Sequence, residues 1–217
     1  MIAVIIPTRN AASTLPATLA ALQPGQNLIS EIIISDAGST DGTANLAPEK
    51  LITGPPSRGG QIRAGIAASK APFLLILHAD SILPETWPAI IEPALKTPQY
   101  GHYFRLRFAS DKTAARLLEA IAALRCAAAK LPYGDQGLLI SRSLLAESGG
   151  YPDIPLMEDV ALARRLRNRL RPLPAAILTS AVKYECGGWL RRPLKNACCL
   201  SLYFAGMPPA KIQKIYD

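Results

Sequence analysis

Glu31-Ile32-Ile33-Ile34-Ser35-Asp36-Ala37-Gly38-Ser39-Thr40-Asp41-Gly42-Thr43 joins a β-branched run to an acidic, glycine-turned loop that ends on helix-capping residues. A short apolar run bounded by turn signals reads as a buried strand, and such a loop reads as its passage into a helix. The pattern recurs on either side. Residues 2–6 run into Pro7-Thr8-Arg9-Asn10, residues 50–53 into Pro55-Pro56-Ser57-Arg58-Gly59-Gly60, and residues 73–77 into His78-Ala79-Asp80-Ser81. Helices are expected between them. The first starts at Ser13 or Thr14, tolerates Pro16 in its first turn and stops at Pro24-Gly25; a short one covers 43–47. The third covers 59–69, with glycines and alanines that allow close approach to a sheet, and ends before Pro72. Strand, helix, strand, helix implies an α/β fold with a mostly parallel central sheet flanked by helices. In open sheets of this kind ligands bind beyond the carboxyl ends of the strands, so one rim is expected to collect Arg9, Asp36, Arg58 and Asp80.

The second half is less regular. It reads as a strand at 103–108, a long Ala/Leu helix at 113–130, and a polar loop, Pro132-Tyr133-Gly134-Asp135-Gln136-Gly137, before Leu138-Leu139-Ile140. A helix at 158–169, a strand at 175–179 and short helices at 194–204 and 209–216 follow. Gly149-Gly150 and Arg171-Pro172 read as turns inside a single domain spanning 1–217.

Of 217 residues, 49% are hydrophobic and 18% charged, which suits a folded chain and not a disordered or fibrous one. Lys and Arg number 24 against 16 Asp and Glu, and the resulting +8 suits an anionic partner. No apolar run reaches the roughly 18–20 residues of a membrane span, and the N-terminus lacks the pattern of a secretory leader. Cys126, Cys186, Cys198 and Cys199 contain no C-x-x-C pair, so buried thiols in a reducing, cytoplasmic compartment are expected.

Asp36 directly follows a strand, where a carboxylate accepts from a base N–H or a ribose hydroxyl, whereas Asp41 reads as a helix cap. Asp80 ends an apolar run; it either caps a turn with Ser81 or ligates Mg²⁺ or Mn²⁺, hard cations that take oxygen ligands and leave room for diphosphate. His78 assists or orients it, and with His102 the only other histidine, a His-rich zinc centre is not expected. Arg58, before two glycines at a helix start, suits phosphate oxygens better than Arg63 one turn on. Glu158-Asp159 either complements a helix dipole or supplies a general base. The chain has no G-x-G-x-x-G after its first strand, no P-loop and no G-x-S-x-G, which disfavours NAD enzymes, P-loop NTPases and α/β-hydrolases.

Val4-Ile5-Ile6-Pro7-Thr8-Arg9-Asn10, the stretch from Glu31 to Thr43, and His78-Ala79-Asp80-Ser81 resemble family-two glycosyltransferases of GT-A fold. The resemblance extends to Gly134-Asp135-Gln136-Gly137 and to Met157-Glu158-Asp159-Val160-Ala161-Leu162-Ala163-Arg164-Arg165-Leu166, in the expected order. The short length, the 58–65 segment and the 189–216 tail resemble a compact bacterial branch labelled as arsenosugar-biosynthesis or radical-SAM/selenodomain-associated glycosyltransferase. The resemblance implies inverting transfer of a sugar from a nucleotide-diphosphate donor to an acceptor hydroxyl, assisted by a divalent cation. It implies a nucleotide-binding half at about 1–100 and an acceptor-side half at about 101–217. Residue by residue, it implies nucleotide binding by Pro7, Thr8, Arg9, Asn10, Asp36, Arg58, Gln61 and Asp80, with Asp80 also the metal ligand. Gly134, Asp135 and Gln136 would face the donor sugar or acceptor, and Asp159, or Glu158 beside it, would be the catalytic base. Two positions depart from the family pattern: Ala37 replaces a second acid, and His78-Ala79-Asp80 replaces Asp-x-Asp. Metal binding is accordingly expected to be weaker or to appear only with nucleotide.

Other readings are a sugar-nucleotide nucleotidyltransferase, which normally carries a Gly-rich basic loop where this chain has Pro7-Thr8-Arg9-Asn10, and a non-catalytic basic binding module. Aromatics at 6% without a basic-aromatic platform argue against nucleic acid. The tail, with Trp189, Arg191, Arg192 and Lys195 beside Leu194, Leu200 and Phe204, reads as a packing element first and a peripheral membrane contact second. The acceptor is accordingly expected to be lipid-linked or a small molecule, with the protein cytoplasmic or at the inner face of the membrane.

Overall fold

The computed structural model describes residues 1–47 and 50–216; Pro48, Glu49 and Asp217 lie outside the described residues. Strands β1 (Ile2–Thr8), β2 (Ile29–Asp36), β3 (Lys50–Thr53) and β4 (Phe73–Ile76) form a parallel block. Every residue of β1 is buried, as expected of a strand covered on both faces, which is why it reads as an unbroken apolar run. Strands β5 (Ser81–Ile82), β6 (Gly101–Phe108), β7 (Leu138–Ser141) and β8 (Leu170–Thr179) complete an eight-stranded sheet of order β3-β2-β1-β4-β7-β6-β8-β5. Because β7 runs antiparallel to β4, with Ile76 opposite Leu138, the loop that precedes β7 lies at the carboxyl end of β4. That pairing unites the two halves of the site.

The helices are α1 (Leu15–Ala20), α2 (Arg58–Ala67), α3 (Trp87–Leu95), α4 (Thr113–Ala129), α5 (Arg142–Glu147), α6 (Glu158–Leu166), α7 (Val182–Gly187), α8 (Arg191–Phe204) and α9 (Pro209–Tyr216). Alternate residues of β1 feed two cores. Ala3 and Ile5 pack with Ile62 of α2 and with Val160, Leu162 and Leu166 of α6. Ile2, Val4 and Ile6 pack on the other face with Leu15 of α1 and with Trp87 and Ile91 of α3. Each such fully buried isoleucine contributes roughly 1.5–3 kcal/mol. In α2, a Cβ on Gly65 would lie 2.5 Å from Ile5 Cγ2, so the expected close approach of this helix to the sheet depends on glycine there.

Several boundaries differ from expectation, each for an identifiable reason. The first helix ends at Ala20, and Pro24-Gly25 lies inside a 3-10 stretch, Gln23–Leu28. That stretch packs on Trp87, whose indole N–H donates to Ala21 O at 3.0 Å. The sequence reading missed α3 because Pro84, Pro88 and Pro93 look like breakers, yet Pro88 falls in the first turn, where no N–H is needed. Arg171-Pro172 is not a turn but the start of β8; its prolines sit where β8 has no partner on its outer side, since β5 pairs only with Leu178 and Thr179. Of the cysteines, Cys126 and Cys199 are buried but Cys186 and Cys198 are exposed.

Candidate active site

The loops after β1 and β2 are hydrogen-bonded to each other. Asn10 N donates to Ser39 Oγ at 2.8 Å and Thr40 N to Asn10 Oδ1 at 2.9 Å. Ala11 N donates to Thr43 Oγ1 and Ala12 N to Asp41 Oδ2. Asp41 also accepts from Thr43 N, although the cap position of the 3-10 turn at 43–46, expected of Asp41, belongs to Gly42. Asp36 is 7% exposed and accepts from Thr8 Oγ1 at 2.8 Å and from Ser39 N at 2.7 Å. Burial pushes its carboxyl up, but hydrogen bonds from Ser39 and Thr8 outweigh this and hold it below the usual range. Gln61 lies under this shelf. Its side-chain amide donates to Thr8 O at 2.7 Å and Ser35 O at 2.6 Å, tying the ends of β1 and β2 together. Gln61, expected at the nucleotide, is thus a buried cross-tie, while Arg9 and Asn10 are exposed on the rim.

Across the sheet, a cavity of about 400 Å³ is lined by His78, Asp80, Gly134, Asp135, Glu158 and Asp159 together with Arg58. Ser57 caps α2 by accepting from Gly60 N, which sets Arg58 at the helix start facing the first turn of α6. Arg58 reaches Glu158 across 3.4 Å, an ion pair without hydrogen-bonding geometry, so Glu158 Oε1 is buried without a donor. Glu158 is 1% exposed; burial, reinforced by the Asp159 charge and only partly offset by Arg58, pushes its carboxyl up to about 7. Asp159 accepts from Gly134 N through Oδ2 at 2.7 Å and from Val160 N through Oδ1 at 2.7 Å. Gly134 is fixed by what surrounds it, since a Cβ there would lie 2.7 Å from His78 Nε2.

Asp135 has a buried Oδ1 with no donor, and burial pushes its carboxyl up to about 6, with Arg125 opposing and the Asp159 and Asp80 charges adding to the rise. His78 is held well below its ordinary pKa by burial and by the Arg58 and Lys183 cations, so its ring is neutral. Asp80 differs from expectation. The strand ends at Ile76, and Asp80 sits half-exposed in the turn after it, able to reach both solvent and the cavity.

Gln136, expected to face sugar or acceptor, instead spends its amide inside the protein. Its Nε2 donates to Phe104 O, and its Oε1 accepts from Tyr133 N and Arg125. Arg63 pairs with Asp153 on the surface, as its weaker candidacy implied.

The sequence reading missed residues that the fold brings in from the second half: Arg125, which lies 3.3 Å over the Tyr133 ring, and Lys183, Tyr184, Arg192 and Tyr216 of the tail. The available signal was Arg125, the one charged residue in the Ala/Leu-rich second half of α4. The tail closes the cavity on one side, and Tyr184 and Trp189 stack at 5.5 Å beside Phe108 to hold it there.

Among the described residues no three His, Cys, Asp or Glu side chains gather into a metal centre. The donor chemistry nevertheless fits a hard cation: Asp80 and Asp135 are oxygen ligands that repel each other, and Asp135 Oδ1 is an orphaned acceptor.

The family model for glycosyl transferase family 2 matches residues 3–116. No curated protein matches the sequence. Among solved structures, S. aureus TarS 1-349 superposes with a TM-score of 0.63 at 13% identity, covering 99% of this chain and 69% of that one. Its complex with UDP-GlcNAc covers 82% and 58%, again with a TM-score of 0.63 and 13% identity. Glucosyl-3-phosphoglycerate synthase from Mycobacterium tuberculosis, in complex with Mn²⁺, UDP-glucose and phosphoglyceric acid, superposes with a TM-score of 0.56 at 20% identity, covering 83% and 70%. Likeness at these identities shows the α/β GT-A fold.

Proposed function

The chain belongs to glycosyl transferase family 2, and from that premise we propose that it transfers a sugar from a uridine-diphosphate donor to an acceptor hydroxyl with inversion. The observation that carries the reading is the convergence of Asp80, Asp135, Glu158, Asp159 and Arg58 on one cavity beyond the strand ends. The UDP-sugar complexes of the structural neighbours support the choice of donor. Thr8 and Asp36 hold the nucleoside on the rigid shelf, with Pro7, Arg9 and Asn10 shaping its edge, so residues up to about 100 serve the donor and the rest the acceptor, except that Asp135 and Glu158 also act at the diphosphate. The resemblance to the compact arsenosugar or selenodomain-associated branch belongs to the same proposal.

In the transfer, the acceptor oxygen forms a bond to the anomeric carbon as the bond from that carbon to the diphosphate breaks. The acceptor proton passes to Asp159, whose carboxylate is fixed by Gly134 N–H and Val160 N–H while keeping lone pairs for the proton. Glu158 fixes Arg58, which stands where a guanidinium meets negative charge leaving on the diphosphate. Asp80, with Asp135 beside it, would hold Mg²⁺ or Mn²⁺, which when bound offsets diphosphate charge. A reducing, cytoplasmic setting accords with four unpaired cysteines.

The test is the thermal midpoint measured with UDP, GDP, CDP, TDP and ADP, each with and without Mn²⁺. UDP with Mn²⁺ at about one hundred times its Kd is expected to add about 2.7 kcal/mol, a rise of roughly 5–10 °C. No shift with any nucleotide overturns the reading.

A further inference from the structure

Among the described residues ten large hydrophobic side chains are exposed; seven lie on α4 and the tail helices, Leu117, Ile121 and Leu124, then Val182, Leu194, Phe204 and Ile215, and an eighth, Leu190, immediately precedes α8. These elements wall the cavity. Leu118, Ile121, Ala122 and Arg125 of α4 line one side, and Arg192, Pro193, Asn196, Ala197 and Leu200 of α8 line another. Ile121 and Ala197 both line the cavity and are exposed, so they mark its mouth.

Beyond the mouth the apolar surface continues. At 100° per residue, Leu117, Ala120, Leu124, Ala127 and Ala128 share the outer face of α4. The three charged residues of that helix are only partly exposed and turned to protein partners: Arg116 to Glu119, Glu119 to Phe108 N, and Arg125 to Leu131 O. On α8 the outer face carries Leu194, Ala197, Cys198 and Ser201, with Arg191 at its start. Soluble surfaces seldom leave a four-turn helix face without charge, and such a face marks a binding surface.

We propose that this face seats on an anionic lipid bilayer and that the acceptor hydroxyl reaches the cavity from the lipid side, between α4 and α8. Charge selects the occupant. Residues 182–216 carry six Lys or Arg and a single carboxylate, Glu185. A bilayer of anionic headgroups complements that surplus, whereas a second copy of the chain would bring two basic tails together. An amphipathic surface of this kind buries its apolar face at the headgroup boundary while long basic side chains reach the phosphates. The acceptor class is then a lipid or lipid-linked molecule, and Lys183 and Arg192 inside the cavity suit an acidic group on it. The acceptor assignment rests on the glycosyltransferase reading; the membrane seat does not.

The experiment is co-sedimentation of the full chain with phosphatidylcholine vesicles and with vesicles containing about one third phosphatidylglycerol, at low and high salt. The wild type is expected to bind the anionic vesicles at least about tenfold more tightly, with binding falling as salt rises. L117Q/L124Q, at positions 62% and 68% exposed and outside the cavity lining, is expected to lose about tenfold of that affinity with an unchanged thermal midpoint. K211E/K214E, on α9, is expected to weaken binding as well. Equal binding to both vesicle types, or undiminished binding by the leucine double variant, overturns the proposal. So does a stable dimer that L117Q/L124Q dissociates, which would assign the face to a second copy. The nucleotide-induced thermal shift, measured without vesicles, keeps the two readings apart: a shift without vesicle binding removes only the membrane seat, and vesicle binding without a shift removes the transferase reading and the acceptor with it.

Discussion

At the carboxyl ends of β1 and β2, Asp36 and Asp41 accept hydrogen bonds from Thr8, Ser39, Thr43 and Ala12, whereas Asp135 and Glu158 across the sheet each keep a buried oxygen without a donor. The electrostatics follow the hydrogen bonds. Asp36 and Asp41 are held below the ordinary carboxylate range, while Asp135 and Glu158 are pushed up to about 6 and about 7. A rim whose carboxylates are fully supplied with donors has one geometry and one charge state, which suits holding a nucleoside. A rim whose carboxylates are desolvated and repel one another gains from a cation or a proton, which suits chemistry.

The sharpest way to break that division is Asp159→Asn. Transfer is expected to slow by at least about a hundredfold while nucleotide affinity stays within about twofold. Near-normal turnover would move the base to Glu158. On the other rim, Gln61→Ala removes the cross-tie and leaves Thr8 O and Ser35 O without their donor. A loss of about 2–3 kcal/mol in urea unfolding is expected, and a loss below about 0.5 kcal/mol would show that the shelf does not depend on it.

A smaller effect is expected from Asp80→Asn. Nucleotide affinity should fall by about tenfold in Mn²⁺, or about 1.4 kcal/mol, and not at all without metal; equal affinities would remove Asp80 as a ligand. The smallest concerns Glu158→Gln. Because the fold raises the Glu158 pKa from 4.5 to about 7, it favours the protonated form. The stabilisation is fully present below about 4.5 and is lost as pH rises through about 7. The wild-type midpoint should therefore decline between pH 5 and 8, and the glutamine variant, neutral throughout, should decline less, by about 2–4 °C. Parallel pH profiles would mean that Arg58 already cancels the burial cost.

The same contrast explains what the sequence revealed. The parallel block was legible because β1, β2 and β4 are covered on both faces and their loops are closed by near neighbours in adjacent loops, so strand type and loop polarity follow from local pattern. Asp36 and Asp80 were visible for that reason, and Arg58 and the Glu158-Asp159 pair because each opens a helix, α2 and α6. What escaped depends on contacts between residues far apart in sequence. The antiparallel β7 carries the 134–136 turn to the end of β4, the aromatic packing of Phe108, Tyr184 and Trp189 brings Lys183 and Arg192 over the cavity, and Gln61 and Gln136 turn inward. Only the packed chain decides whether a glutamine faces a ligand or two backbone carbonyls. The apolar face of α4 was legible as composition and not as exposure, because periodicity alone does not say which side of a helix the protein covers.

The central claim is that the carboxylates at the ends of β1 and β2 hold the nucleotide while those across the sheet carry the chemistry, and calorimetric titration of UDP in Mn²⁺ into Asp36→Asn and Asp159→Asn tests it most directly. The account predicts that Asp36→Asn weakens binding by at least about tenfold, while Asp159→Asn binds within about twofold of wild type. The reverse order, or equal losses in both, would contradict it.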